Sequence, residues 1–176
     1  MRKTSDVLNK FASDSGSQIW GLATVPDDWI NQLKTYRKIT LEDSETALMY
    51  IMTLALFIEL LVARTGDLLD EKERDVVEKK TLDTILDLFK ITNFDSLKDA
   101  KGADEKAEFV LKTMKDVINN SKKEQGKNGY TIPEIYTQFF VNSHTFGKKI
   151  PKDILAEYVK SKIGLFEEQD FRNKLV

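Results

Sequence analysis

Residues 45–65 read ETALMYIMTLALFIELLVART, and fifteen of the seventeen positions from Ala47 to Ala63 are apolar. The run is too long for one strand, and Leu, Met and Ala dominate it rather than Val and Ile, so it is read as a helix. A helix that is apolar on every side needs protein on every side. The remainder of the chain is therefore expected to pack around this segment, leaving only a narrow stripe near Thr46, Thr53 and Arg64. Thr40 and Ser44 offer N-caps before it, and Gly66 offers a left-handed stop after it.

A membrane span is the competing reading. Seventeen residues at about 1.5 Å rise cover about 26 Å, short of a hydrocarbon layer of roughly 30 Å. Glu59 interrupts the run, and no Lys or Arg cluster flanks it. A buried core helix fits better, and no membrane contact is expected.

At 176 residues the chain suits one domain spanning 1–176, long enough to bury roughly 70% of the surface of its unfolded form. It contains no cysteine, which excludes disulfides, thiolate nucleophiles and sulfur-ligated zinc. MRKTSDVLNKF at the start lacks the apolar core of a secretory signal, so a cytoplasmic setting is expected. Residues 1–100 carry 13 basic and 18 acidic side chains, and 101–176 carry 14 and 11. With a pI near 5.6, the chain lacks the dense basic stripe typical of a duplex-binding domain.

Outward from the central run, Ser5 caps a short helix to Ala12 that SDSGS at 13–17 ends, so 1–16 is expected to be loosely held. Residues 18–25 match neither period and are read as extended. Pro26 begins a helix with Trp29, Ile30, Leu33 and Tyr36 on its buried side. On the other flank, Asp67 caps a helix running to about residue 90, antiparallel to the central one. The stretch 91–104 breaks the pattern, and 104–121 resumes it with Val110, Met114 and Ile118 at helical spacing. NNSKKEQGKNG, 119–129, is read as a solvated loop. Thr131 and Glu134 form a capping box opening a helix to about Gly147, Pro151 opens another ending at Gly164, and the apolar tail 165–176 packs down. The expected fold is all-α, a single-domain bundle of six or seven helices.

No motif names an activity. Neither GxxxxGK[ST] nor GxGxxG occurs, and the single histidine, His144, excludes His-pair metal sites. Near a helix C-terminus, His144 is read as a partner of the helix dipole. Two pairs of carboxylates at i, i+3 spacing, Glu42 with Glu45 and Asp67 with Asp70, begin successive helices and would stand roughly 30 Å apart. Glu42 and Glu45 would instead lie level with Asp83 and Asp87, an oxygen-only set suited to Mg²⁺ or Ca²⁺ and to a metal-dependent hydrolase. Against this stands the reading of solvated acidic helix ends, with no cofactor.

Glu59 has only Ala55, Leu56, Val62 and Ala63 at helical spacing, so its own helix supplies no cation. Burial should raise its pKa unless another element contributes a partner, for which Lys72 and Arg74 are the candidates across the hairpin. Lysines gather at 122–127 and 148–152, with Tyr130 and Phe146 nearby. Tyr130, Phe146, Lys148, Lys149 and Lys152 form the candidate binding surface. The expected function is a non-enzymatic, protein-binding or regulatory accessory protein; nucleic-acid binding through the two lysine loops is the other binding reading.

Overall fold

A computed structural model describes residues 4–24, 28–92 and 103–175. Pro26, Asp27 and most of the break expected at 91–104 lie outside those residues. The fold is all-α: eight helices and two 3₁₀ turns, with no strand among the described residues. The helices are α1 Ser5–Thr24, α2 Asp28–Arg37, α3 Asp43–Thr65, α4 Glu71–Thr92, α5 Ala103–Asn128, α6 Ile132–Val141, α7 Phe146–Lys149 and α8 Lys152–Glu167.

The central apolar run is α3, in contact with α1, α4, α5, α6, α7 and α8. Every residue from Ile51 to Leu61 is buried, including Thr53, which had been expected on the open stripe. By length and composition α3 could cross a bilayer, yet 72% of its most apolar window is enclosed by the fold. Its N-cap is Glu42 rather than Thr40 or Ser44, because Glu42 N–H donates to Glu45 Oε1 at 2.9 Å in a capping box. Gly66 is not left-handed: at φ −61° it continues into a 3₁₀ turn, Gly66–Leu68. Asp70, not Asp67, caps α4. Asp70 N–H donates to Glu73 Oε1 at 2.9 Å and Glu73 N–H to Asp70 Oδ1 at 2.8 Å, a reciprocal pair that fixes the helix start.

The N-terminal region departs furthest from its sequence reading. α1 runs unbroken through SDSGS and through the segment expected to be extended, and Leu8, Phe11, Ile19 and Ala23 enter the core. The small residues that suggested a turn are a packing face against α4. Ser15 is fully buried, and a β-carbon at Gly16 would stand 3.0 Å from Thr84 Cβ. Trp20 meets Phe89 edge-on at 4.6 Å across the same contact. α2 turns Leu33 inward and, against expectation, Tyr36 outward at 78% exposure. Past its end Lys38 is left-handed at φ 58°, and Ile39 N–H turns back to donate to Leu33 O at 3.1 Å.

α5 replaces the expected loop at 119–129. Lys, Glu and Gln are good helix formers, so a polar composition does not end a helix whose inner face still has something to meet. Here that inner face is polar: Ser121 is buried and Gln125 half-buried. Gly129, left-handed at φ 66°, terminates it. The expected capping function of Thr131 is present, its Oγ1 accepting Glu134 N–H, but α6 stops at Val141 and α7 is a separate turn. α8 passes through Gly164 without stopping. The tail is pinned: Phe171 stacks on Phe166 at 4.8 Å, and Arg172 binds Arg64 O at 2.8 Å and Asp67 Oδ2 at 3.0 Å. That guanidinium also holds the Asp67 carboxyl below its ordinary pKa. Buried apolar side chains from α1 to Leu175 form one connected cluster.

Candidate functional site

A groove of about 1040 Å³ lies between α6 and α8, reached at one end by the end of α5. Both helices carry more apolar positions than the core can take. On α8, Leu155, Tyr158 and Phe166 face inward, leaving Ala156 and Ile163 half-buried on the neighbouring stripe. On α6, Tyr136 and Phe140 are fully buried while Phe139 is half-buried, held edge-on to Tyr136 at 5.5 Å. Ile135 and Val159, both buried, form the floor; Phe139 and Ile163 form walls. Tyr130, 52% exposed, stands at the mouth. The rim carries Glu124, Glu134 and Glu167 against a single cation, Lys160. Glu167 is engaged by Arg64, so the remaining free charge is acidic.

Of the candidate binding residues, only Tyr130 lines this groove. Phe146 is corrected from surface to core: it is fully buried, with its ring 5.6 Å from Phe140, and so is out of a partner's reach. Lys149 is exposed along its stem, but its Nζ donates to Glu45 Oε1 at 2.6 Å, and that bond raises its pKa. Lys148 and Lys152 are exposed. Lys122 lies on a helix rather than in a loop and donates to Glu78 at 3.2 Å. Two of the lysines proposed for phosphate contact are thus already committed to carboxylates.

The four-carboxylate set does not assemble. Among the described residues no three His, Asp or Glu side chains are grouped to hold a metal ion. Glu45 is buried and turned to Lys149, while Glu42, Asp83 and Asp87 are exposed. The antiparallel register that suggested convergence fails because α4 packs mainly on α1 and α5 rather than along α3.

Glu59 is 6% exposed, and the hydroxyl and amide groups that bear on it come from α5 and α6, with the Glu78 charge added from α4. Gln125 Nε2 reaches its Oε1 at 3.4 Å and also donates to Ser121 Oγ at 3.1 Å. Burial raises the Glu59 pKa; the Tyr136 and Ser121 hydroxyls and the Lys122 charge pull the other way. No hydrogen bond of ordinary geometry closes on Glu59 Oε2 or Tyr136 Oη. Burial and the Glu59 charge together push the Tyr136 phenol well above its usual range. Sequence reasoning singled out Glu59 but missed the groove, whose one signal was the surplus of apolar positions on α8. No protein-family model, curated protein or solved structure matches the chain.

Proposed function

We propose that the protein is a non-enzymatic binding module that receives a helix of a partner protein in the groove between α6 and α8. The observation that supports this is an apolar trough with an acidic rim. A bound helix would set anchors at i, i+3 or i+4, and i+7 between Phe139 and Ile163, the mode by which amphipathic helices enter grooves. Glu124 and Glu134 would favour Lys or Arg along the helix edge and steer its approach. This reverses the charge of the partner expected from the lysine clusters.

The test places a photo-crosslinking residue at Ile163, and separately at Lys115 on the exposed face of α5, in the native cells. The expected result is a specific adduct from position 163 that is absent from 115, mapping to a helical segment with basic flanks. Ile163→Arg should abolish it, and Glu134→Lys should weaken it and reduce its salt sensitivity. Adducts that do not differ between the two positions, or a partner retained by Ile163→Arg, would overturn the proposal.

A further inference from the structure

A second cleft, about 480 Å³, opens where α3, the Gly66 turn, α4, α5 and the start of α6 meet. It shares no lining residue with the groove. Val62, Ala63 and Ile132 give it apolar walls, and five charged side chains line it. These sort by what they already touch. Glu78 holds Lys122, with Nζ 3.2 Å from both carboxylate oxygens. Asp67 holds Arg172. Two charges of opposite sign are left.

Glu59 is one. It is more than nine-tenths buried; the Tyr136 and Ser121 hydroxyls bear on its carboxylate, but no hydrogen bond of ordinary geometry closes on its Oε2, and Gln125 approaches its Oε1 at 3.4 Å. Arg74 is the other. It is half-buried, its Nη1 lies over the Gly66 turn, and among the described residues its side chain makes no ion pair. The charges acting on Glu59 are those of Lys122 and Glu78, so Arg74 does not neutralise it.

A buried carboxylate left short of hydrogen bonds is costly to a fold, and such a group calls for an explanation beyond packing. A lone ammonium entering the cleft would meet Arg74 and Lys122; a lone carboxylate would meet Glu59, Asp67 and Glu78. A molecule carrying both charges can offer its ammonium to Glu59 and its carboxylate to Arg74, which line the same cleft. We propose that this cleft binds a small amino-carboxylate zwitterion, its ammonium on the Glu59 carboxylate in place of Gln125 and its carboxylate on the Arg74 guanidinium. The guanidinium fork matches a carboxylate bidentately, and charge-assisted bonds in a partly desolvated cleft are strong enough to hold a small ligand. The volume falls within the range of small-molecule sites and leaves room for a short side chain between Val62 and Ile132.

The full chain would be titrated near neutral pH with glycine, alanine, leucine and glutamate, and with n-butylamine and butyrate as single-charge controls. Binding is read from amide NMR shifts. At least one amino acid should shift residues 59–66 and 122–125 saturably, with each control roughly tenfold weaker or more. Glu59→Gln and Arg74→Gln should each weaken that binding roughly tenfold or more; Arg74 lies at the surface, so its variant tests the site even if the buried one perturbs folding. Saturation by none of the four amino acids, a control that binds as well as they do, or binding that survives Arg74→Gln would overturn the proposal. Because the two sites share no residue, any of these results leaves the groove proposal standing.

Discussion

Thr53 and Glu59 interrupt the same apolar helix six positions apart, both are buried, and each faces a buried tyrosine. At Thr53 the hydroxyl both donates and accepts. Its hydroxyl donates to Met49 O at 2.7 Å, so the Tyr158 hydroxyl, 2.8 Å away, donates to it. At Glu59 the corresponding phenol, Tyr136, bears on the carboxylate, but no hydrogen bond of ordinary geometry closes on either Oε2 or the phenol oxygen. The same helix thus carries one polar residue finished as structure and one left open. Openness at a buried charge lowers stability, and such positions cluster where ligands bind.

The largest effect sets the scale against which both sites are judged. Leu54 and Leu61, each fully buried, contribute packing alone. Leu54→Ala or Leu61→Ala should cost about 2 to 5 kcal/mol in urea unfolding. Midpoints equal to wild type would show that α3 is not the core and would remove the basis of the comparison.

A second effect appears as a slope in pH. Glu59 is raised above its ordinary value of 4.5, so between 4.5 and its folded pKa the native state holds more proton than the unfolded one. Its contribution is complete below that window and is lost as pH rises through the folded pKa. The difference in stability between Glu59→Gln and wild type should therefore grow in the variant's favour from acid to neutral pH. A difference that is flat with pH, or that shrinks, would mean Glu59 is as well satisfied as Thr53.

The smallest effect is the sharpest contrast. Tyr158→Phe removes a made hydrogen bond and should cost about 0.5 to 1.5 kcal/mol, whereas Tyr136→Phe removes a hydroxyl that closes no bond of ordinary geometry and should cost less. Equal losses in the two variants would erase the distinction between the sites.

Where sequence reading failed, it failed for a related reason. Residues 119–129 look like a loop because their inward positions are polar, but at that level α5 faces Glu59, and Ser121 and Gln125 are its counterparts there. SDSGS looks like a turn because its residues are small, but small size is what allows α1 to approach Thr84 so closely. Local composition records what a residue is and not what it faces.

By itself the sequence determined that the fold is all-α and built on residues 45–65, because a run apolar on every side has one stable solution in a folded chain, which is enclosure. It also determined the Thr131 cap and marked Glu59 as anomalous, since both follow from spacing along a single helix. Only the tertiary structure decided that Phe146 is core, that Glu45 faces Lys149 instead of a metal, and that the open charges are Glu59 and Arg74. These are relations between helices, set by crossing and register, and the sequence of one helix does not contain the position of another.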